Sequence, residues 1–446
     1  MSIQVSVKPE VSYLTALLEE CRKAAFIQVD GLQDLRDRAA AIVQEQAIPT
    51  RRDEEWRFTD LSPLLEVNFQ GIETRSLPSF HNITPLTLPE SLDSRLVFVN
   101  SLYSPQLSSL SGIPKGVFVG NLVELPTAYQ TRIHNYLGQQ QGASEVFTAL
   151  NTAGLTDVAV VWVSKNTVVE TPIHLLFIST TSDVPLIFQP RCLVVAEAGS
   201  QLTLVEHYVA NTEGCPDIPV NHPYFMNQVT EIWVEENAQV THTRIQREAG
   251  DGFHIGKSAI AQARNSRYTC NAISLGGKLS RHNLEVFQTG EGTETTLNGL
   301  TMIGGKQVAD THSVIALNHP HGISNQLHKC IVDDRGHAIF NGKIFVPQAA
   351  QYTNAGQLNR NLLLSPKARV DTKPQLEITA DQVKCAHGAT VSQLDADEVF
   401  YLQSRGINET NARELLLDAF AAEILSRISV ASLRQNLSRC VACRTS

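Results

Sequence analysis

Short apolar runs dominate the middle of the chain, between about residues 156 and 390. The runs are rich in Val, Ile, Thr, Tyr and Phe, and they are bounded by Gly, Asn, Asp or Pro. This pattern is typical of β-strands that are separated by turns. The predicted strands are 158–163, 173–179, 192–196, 202–207, 228–234, 239–245, 268–275 and 283–287.

The arrangement of these strands is limited by the lack of long amphipathic helices between them. A parallel sheet of the α/β type needs helical crossovers, and the region has no convincing helix of ten or more residues. A sandwich or barrel and a parallel β-helix both remain open. A region of about 235 residues is large for a single sandwich, whereas roughly ten coils of about 20–25 residues match known solenoid repeats. The spacing therefore favours the parallel β-helix.

The region before the strands, residues 1–155, is mostly helix-forming. Apolar residues recur at helical spacing from Leu14 to Cys21, and the segment 35–46 is rich in Ala, Arg and Glu. Pro49 ends that stretch, since the residue before a proline is driven out of the helical conformation. Further elements are predicted as a strand at 96–99 and helices at 127–137 and 144–150.

The last region, residues 391–446, returns to a helical pattern. One helix is predicted to begin at Asp395, whose carboxylate suits an N-cap, and to stop at Gly406. A second helix is predicted to begin near Asn408. Its predicted buried stripe is Ala412, Leu415, Leu416, Ala419, Phe420 and Ile424. A DNA-binding helix-turn-helix is disfavoured, because seven acidic residues face three basic ones between 395 and 427.

Composition and charge narrow the class of protein. The 446 residues carry a formal net charge of −9, from 45 acidic and 36 basic side chains. Such a chain has no general attraction to nucleic acid or to anionic membranes. No apolar run approaches the length of about 20 residues that spans a bilayer, and the first residues do not resemble a signal peptide. We therefore expect a cytoplasmic protein whose eight cysteines are reduced.

Common catalytic motifs are absent from the sequence. It has no P-loop, no dinucleotide-binding glycine motif, no nucleophile elbow and no zinc-binding HExxH helix. Residues 304–306 resemble the end of a P-loop, but Gln307 stands where Ser or Thr is needed to hold Mg²⁺. Nothing in the sequence would support ATP hydrolysis.

Histidines are concentrated between residues 312 and 337. His319 and His321 flank a proline, and two imidazoles at this spacing are able to chelate Zn²⁺, Fe²⁺ or Cu²⁺. A loop of solvated histidines is the alternative, and we favour it because the proline interrupts the strand. His312 and His328 lie in strand-like surroundings and are predicted to be hydrogen-bonded between adjacent coils.

Cys385 and His387 form the sharpest local pattern. A thiolate and an imidazole two residues apart lie side by side on one strand face or converge in a turn. Both groups are ligands that iron and iron–sulfur clusters accept. They make up only half of a four-ligand site, so the other ligands must come from elsewhere in the chain or from another subunit. The alternative is a buried cysteine beside a hydrogen-bonded histidine that has no ligand role.

A second cysteine pattern occurs at the end of the chain. Cys440 and Cys443 form a lone C-x-x-C in a basic segment. Without a second such pair it is a weak indication of a metal or redox site. We expect these two thiols to lie in a frayed tail.

Residues 294–425 carry a dense series of sequence blocks. The blocks are 299–301, 310–312, 324–329, 340–344, 361–365, 373–378, 381–390 and 400–407. In this order they resemble the SufB/SufD family of the SUF iron–sulfur cluster assembly system. Weaker matches at 54–59 and 172–174 extend the resemblance over most of the chain. The modest length and the lack of a cysteine-rich N-terminal motif favour the SufD branch over the SufB branch.

The resemblance implies a fold and a role. The fold is a right-handed parallel β-helix over 156–390, flanked by an N-terminal and a C-terminal helical domain. The role is that of a non-catalytic scaffold subunit, which pairs with SufB through the β-helix and docks the SufC ATPase through its C-terminal helices. A cluster would form transiently at the SufB–SufD interface and would not be held stably by the isolated chain. His387 is the leading candidate ligand and Cys385 the second.

One further expectation accompanies this interpretation, and two competing functions stand beside it. A homodimer is expected when SufB is absent, because related β-helices that pair with each other should also self-pair. One competing function is a β-helix enzyme acting on polysaccharides, which usually needs clustered acidic residues on one face. The other is a stand-alone metal-binding protein that uses the histidine-rich region.

Overall fold

The computed structural model describes residues 9–23, 32–72, 83–180, 182–211 and 222–445. The expectations for the first residues of the chain and for Cys215 lie outside these ranges. The α-helices are α1 Pro9–Arg22, α2 Leu32–Glu45, α3 Ser62–Leu65, α4 Thr127–Gln130, α5 Val146–Ala153, α6 Ala396–Ser404, α7 Glu409–Leu425 and α8 Ala431–Thr445. Short 3-10 helices occupy Glu54–Trp56, Thr84–Leu86, Pro89–Ser91 and Ile133–Asn135.

The structure describes twenty strands, and helices α4 and α5 lie between the third and the fourth of them. The strands are β1 Arg95–Val99, β2 Leu102–Tyr103, β3 Val117–Asn121, β4 Ala159–Val163, β5 Ile173–Ser179, β6 Leu186–Phe188, β7 Arg191–Ala196, β8 Gln201–Ala210, β9 Tyr224–Val234, β10 Gln239–Glu248, β11 Phe253–Gln262, β12 Arg267–Gly276, β13 Leu279–Gln288, β14 Glu294–Ile303, β15 Val308–Ala316, β16 Ile323–Val332, β17 His337–Val346, β18 Asn354–Leu363, β19 Arg369–Ile378 and β20 Lys384–Ser392. Every predicted strand overlaps one of these.

Two parallel sheets face each other and make a β-solenoid of about 8 turns. Sheet I has the order β2-β1-β5-β8-β10-β12-β14-β16-β18-β20, and sheet II has the order β19-β17-β15-β13-β11-β9-β7-β4-β3, with β6 beside β9. Antiparallel pairs occur where the solenoid begins, between β1 and β2 and between β3 and β4. The expected parallel β-helix core with helices on both sides is confirmed.

The predicted repeat length was too short. From β10 to β20 in sheet I, residues that pair in adjacent turns are 27 to 31 positions apart, as in the hydrogen bonds from Asn298 to Asn271 and from Gln357 to Gln326. Each of these turns contains two strands of about ten residues, and the remaining residues form the corners between strands. The expectation of ten coils of 20–25 residues is therefore replaced by fewer and longer turns.

Apolar residues cover the inside of the solenoid and parts of its two outer faces. The interior core includes Phe177, Tyr208 and Ile344 from both sheets. Helices α1, α2 and α5 pack on the outer face of sheet II, where they meet Phe225 and Phe253. Helices α7 and α8 pack on the outer face of sheet I against a row of aliphatic side chains. The helices thus pack on both flanks, and among the described residues no strand pairs with the outer edges of β19 and β20.

The C-terminal helices begin as predicted, but helix α7 buries a different stripe. The carboxylate of Asp395 accepts a hydrogen bond from the Asp397 amide, and the Asn408 side chain accepts one from the Asn411 amide, so both are N-caps. The buried residues of α7 are Ala412, Leu417, Ala421, Ile424 and Leu425. Leu415 and Ala419 are exposed, and Leu416 and Phe420 are half-buried. The stripe is rotated because the helix packs on sheet I and on α8 together.

The segment 54–59 fastens the N-terminal region to sheet II. The Thr59 hydroxyl donates to the Asp310 carboxylate, which also receives an Arg281 guanidinium. The indole ring of Trp56 lies 3.8 Å from the Arg281 guanidinium carbon. Asp310 and Arg281 are both buried. Removal of one partner therefore leaves an uncompensated buried charge.

We expect Asp310→Asn to lower the free energy of unfolding by about 3 kcal/mol, the usual cost of breaking a buried ion pair. Urea unfolding at neutral pH measures this difference. Glu236→Gln breaks an exposed ion pair with Arg264, and it should cost less than about 1 kcal/mol. Equal effects of the two substitutions would contradict this account of the contact.

The effect of Asp310→Asn also depends on pH. Burial alone would raise the pKa of the Asp310 carboxyl, but the charges of His312 and Arg281 hold that pKa below its ordinary value. The stabilisation is therefore complete above the ordinary Asp pKa of about 3.9 and is lost as the pH falls through the lower folded-state pKa. The difference between wild type and variant should shrink in acid.

Within the described residues, no helix is long and apolar enough to cross a membrane.

Candidate functional site

The last turn of the solenoid consists of β19 and β20. Strand β20 pairs with β18 and strand β19 pairs with β17, and among the described residues neither has a second neighbour in its sheet. Both strands are long; the residues of β19 are mostly half-buried and those of β20 are mostly exposed. Their outer edges therefore present rows of unpaired backbone N–H and C=O groups.

Cys385 and His387 lie on the same face of β20. Cys385 is in register with Ala355 of β18, and His387 is in register with Gln357. Ala355 and Gln357 are buried in the interior, so the two candidate ligands stand on the face that earlier turns direct inward. No further turn covers them in the described structure, which leaves His387 exposed and Cys385 half-buried. Of the two arrangements expected from the sequence, the structure therefore has the side chains on one strand face and not converging in a turn.

The two side chains have different surroundings. Cys385 packs against the edge of the interior core, and this partial burial raises the pKa of its thiol. The thiol is therefore protonated at neutral pH in this chain alone, and a coordinated metal would have to displace its proton. The His387 side chain is exposed. The pair is accessible from the open end of the solenoid.

The other histidines are placed away from any complete ligand set. His319 and His321 are both exposed, and His321 stacks on Tyr352 with ring centroids 5.2 Å apart. His328 hydrogen-bonds Thr301 of the neighbouring turn at 3.0 Å, as predicted. His312 instead contacts Asp310 of its own strand and Glu55 of the N-terminal region. In the part of the chain that is described, no three His, Cys, Asp or Glu side chains are grouped to hold a metal ion.

Comparison with models of known protein families shows to which family this chain belongs. The family model described as "SUF system FeS cluster assembly, SufBD core domain" matches residues 177–420, and the model "SufBD protein N-terminal region" matches residues 8–175. Together they cover the helical start, the solenoid, helix α6 and most of helix α7.

The chain belongs to the SufBD family.

Individual relatives agree with this assignment. A protein of Synechocystis described as an iron–sulfur cluster assembly SufBD family protein is 52% identical over 93% of this chain and 91% of its own length. The chloroplastic protein ABCI7 of Arabidopsis thaliana is 35% identical over 97% and 92%. The iron–sulfur cluster assembly protein SufD of Escherichia coli is 33% identical over 87% and 88%. The expected likeness to the SufD branch is confirmed.

The terminal cysteines of this SufBD-family chain are not in a frayed tail. Helix α8 continues to Thr445, and Cys440 is half-buried against the apolar cluster under the C-terminal helices. The side chain of Cys443 lies outside the described residues. The expectation failed because the apolar positions of α8, such as Leu433 and Leu437, anchor the helix on sheet I despite its basic surface.

A buried ionic cluster inside the solenoid was not foreseen from the sequence. Glu206 and His242 are fully buried, with the Glu206 Oε2 atom 2.8 Å from the His242 Nε2 atom. Burial alone would lower the pKa of His242, but hydrogen bonds with Cys270 and Glu206 raise it to about 9. Five strands of sheet I separate Glu206 from β20. The alternation of polar and apolar residues along a strand does not reveal such a pair. In the sequence, a polar residue that points into the solenoid cannot be told from one that points to solvent.

A groove of about 620 Å³ lies between the N-terminal region and the outer face of sheet II. Its buried Lys257 is held between Glu145 at 3.0 Å and Glu285 at 2.8 Å. Its Arg281 is paired with Asp310. The buried cations Lys257 and Arg281 are thus compensated within the chain.

Proposed function

We propose that this chain is a non-catalytic scaffold subunit for iron–sulfur cluster assembly, which pairs with SufB and presents His387 and Cys385 to a nascent cluster. The observation that carries the proposal is the open last turn, where both side chains stand on an uncovered inward face. Two ligands cannot complete a four-ligand cluster site. A partner lying across this end would supply the others, so the cluster is cargo held between two chains.

The edges of the last turn support pairing with another solenoid. Strands β19 and β20 have ten and nine residues, and long exposed edges are templates for strand addition. A related β-helix such as SufB has strands of matching spacing to extend both sheets. Without SufB, a second copy of this chain would offer the same edges, and a homodimer is the expected state.

The C-terminal helices offer a separate surface for the SufC ATPase. Phe400 and Tyr401 of α6 are 70% and 58% exposed, and Leu415 of α7 is 48% exposed. Large apolar side chains on a polar helical surface are typical of protein contact sites. We propose that SufC docks on α6 and α7, within the segments 400–405 and 413–424. The chain would then need no nucleotide motif of its own, and the complex would work in the cytoplasm.

Helix α7 is attached to the solenoid in a way that would transmit movement. The buried Lys329 of β16 donates to the Phe420 carbonyl at 2.9 Å and pairs with Glu423. Arg360 of β18 reaches the same Glu423 carboxylate at 3.4 Å. Strand β18 is the hydrogen-bonded neighbour of β20. Displacement of α7 by SufC would therefore act on the strands beside the proposed cluster site, which is what coupling through a rigid element needs.

Metal content before and after pairing tests the proposal. The purified chain should bind little iron after anaerobic incubation with iron and sulfide, whereas its complex with SufB should retain a cluster. Mutation of His387 should reduce cluster retention in the complex. Stoichiometric metal bound by the chain alone would instead support the stand-alone metal-binding function, and a complex without cluster would contradict the scaffold function.

A further inference from the structure

A ladder of amides runs through the interior directly beneath His387. Gln357 of β18 is 3% exposed and is in register with His387. Its Nε2 atom donates to Gln326 Oε1 at 2.8 Å, and Gln326 Nε2 donates to the Ser313 hydroxyl at 2.8 Å. Gln357 thus donates to the preceding turn of sheet I, and Gln326 donates to β15 in the opposite sheet. The nitrogen end of the Gln357 amide is therefore the end that has a hydrogen-bond partner.

The carbonyl end of the Gln357 amide has no partner. Its Oε1 atom is buried and accepts no hydrogen bond from any described residue. Buried polar atoms are nearly always satisfied, and an exception needs an explanation. Space for this orientation is provided by Gly342, because a Cβ atom there would lie 2.3 Å from Gln357 Nε2. The fold therefore makes room for an amide that keeps one acceptor unused next to the open turn.

His387 carries a donor that fits this acceptor once its exposed ring turns inward, since the structure shows no hydrogen bond between the two side chains. Adjacent strands are about 4.8 Å apart, so side chains on the same face and in register are within reach of a hydrogen bond of about 2.9 Å. An amide oxygen accepts from an imidazole N–H and cannot donate. Bonding one ring nitrogen in this way fixes the tautomer and leaves the lone pair of the other nitrogen free.

We propose that Gln357 is a positioning residue for His387. Its Oε1 atom accepts the N–H of one imidazole nitrogen, so that the other nitrogen is presented outward as a ligand. This inference rests on the proposed role of His387, but it concerns the ring orientation in the chain itself. Metal-binding histidines commonly have their second nitrogen held by such an acceptor.

Nitrogen NMR of the full chain labelled with ¹⁵N-histidine tests the inference without any cluster. The His387 signals are identified by their loss in His387→Asn, and exposed His319 provides the reference for an unrestrained ring. In the wild type the two ring nitrogens of His387 should show the shifts of one tautomer. In Gln357→Met, which keeps the size but not the acceptor, they should move to the averaged shifts of His319.

A further variant changes the amide position without changing either residue of the pair. Gly342→Ala keeps both residues but displaces the amide, so it should reproduce the averaged shifts. Identical His387 shifts in the wild type, Gln357→Met and Gly342→Ala would overturn the inference. If the shifts respond but His387→Ala leaves cluster formation normal, the positioning stands and the proposed ligand role fails.

Discussion

Replacing His387 by alanine is expected to lower the maturation of iron–sulfur enzymes in cells by at least about tenfold. Loss of residues that only support a metal ligand already costs about 10–100-fold, and His387 is proposed to be a ligand itself. The side chain is exposed on the last strand. The substitution should therefore leave folding and assembly with SufB and SufC unchanged. Activity of a cluster-dependent enzyme, together with co-purification of the three proteins, measures both effects.

The matched control is His319→Ala, which removes another exposed imidazole from a corner of the solenoid. This variant should mature clusters normally. Cys385→Ser should have an effect of the same direction, because the thiol lies on the same strand face. Normal maturation in His387→Ala would remove the proposed ligand role.

Phe400→Ala is expected to weaken SufC binding by about 30-fold, which corresponds to the loss of about 2 kcal/mol at an interface hot spot. Phe400 is the most exposed of the large apolar side chains on the described surface. The substitution shortens one exposed side chain and removes contact area. It should not disturb α7 or the apolar side chains that α7 buries against sheet I. Calorimetric titration of the chain or its SufB complex with SufC measures the change in Kd.

The control for this surface is Val123→Ala, which trims an exposed apolar residue in the N-terminal region. Its affinity for SufC should equal that of the wild type. Deletion from residue 395 onward should also abolish SufC binding, but it would uncover the apolar outer face of sheet I. Unchanged binding by Phe400→Ala and by Leu415→Ala would place the SufC contact elsewhere on the chain.

The fold was predictable because its strands are short apolar runs between turn residues. The repeat length was not, since both faces of many strands are buried. Leu300 and Met302 of β14 point outward, yet they are apolar because α7 and α8 cover them. Their inward neighbours Leu297 and Ile303 are buried as well. The resulting continuous apolar runs hide the alternation that would have marked the length of each strand.

The candidate site was predictable only as two ligand types at a suitable spacing. Cys385 and His387 lie on an open last turn because of the number of turns that precede them. No local sequence pattern indicates that number. The role proposed for Gln357 depends on a register partner 30 positions away. Helix α7 shows the same limit, because Leu417 rather than Leu415 is buried once the helix contacts both sheet I and α8.

The central claim is that His387 of this chain and ligands of SufB share one cluster. Electron–nuclear double resonance on the reduced, reconstituted complex tests it directly when only one chain carries ¹⁵N-histidine. Labelling of this chain should give a ¹⁵N coupling to the cluster, and that coupling should vanish in His387→Ala. A cluster that shows no ¹⁵N coupling from this chain, or an unchanged coupling in the variant, would contradict the account.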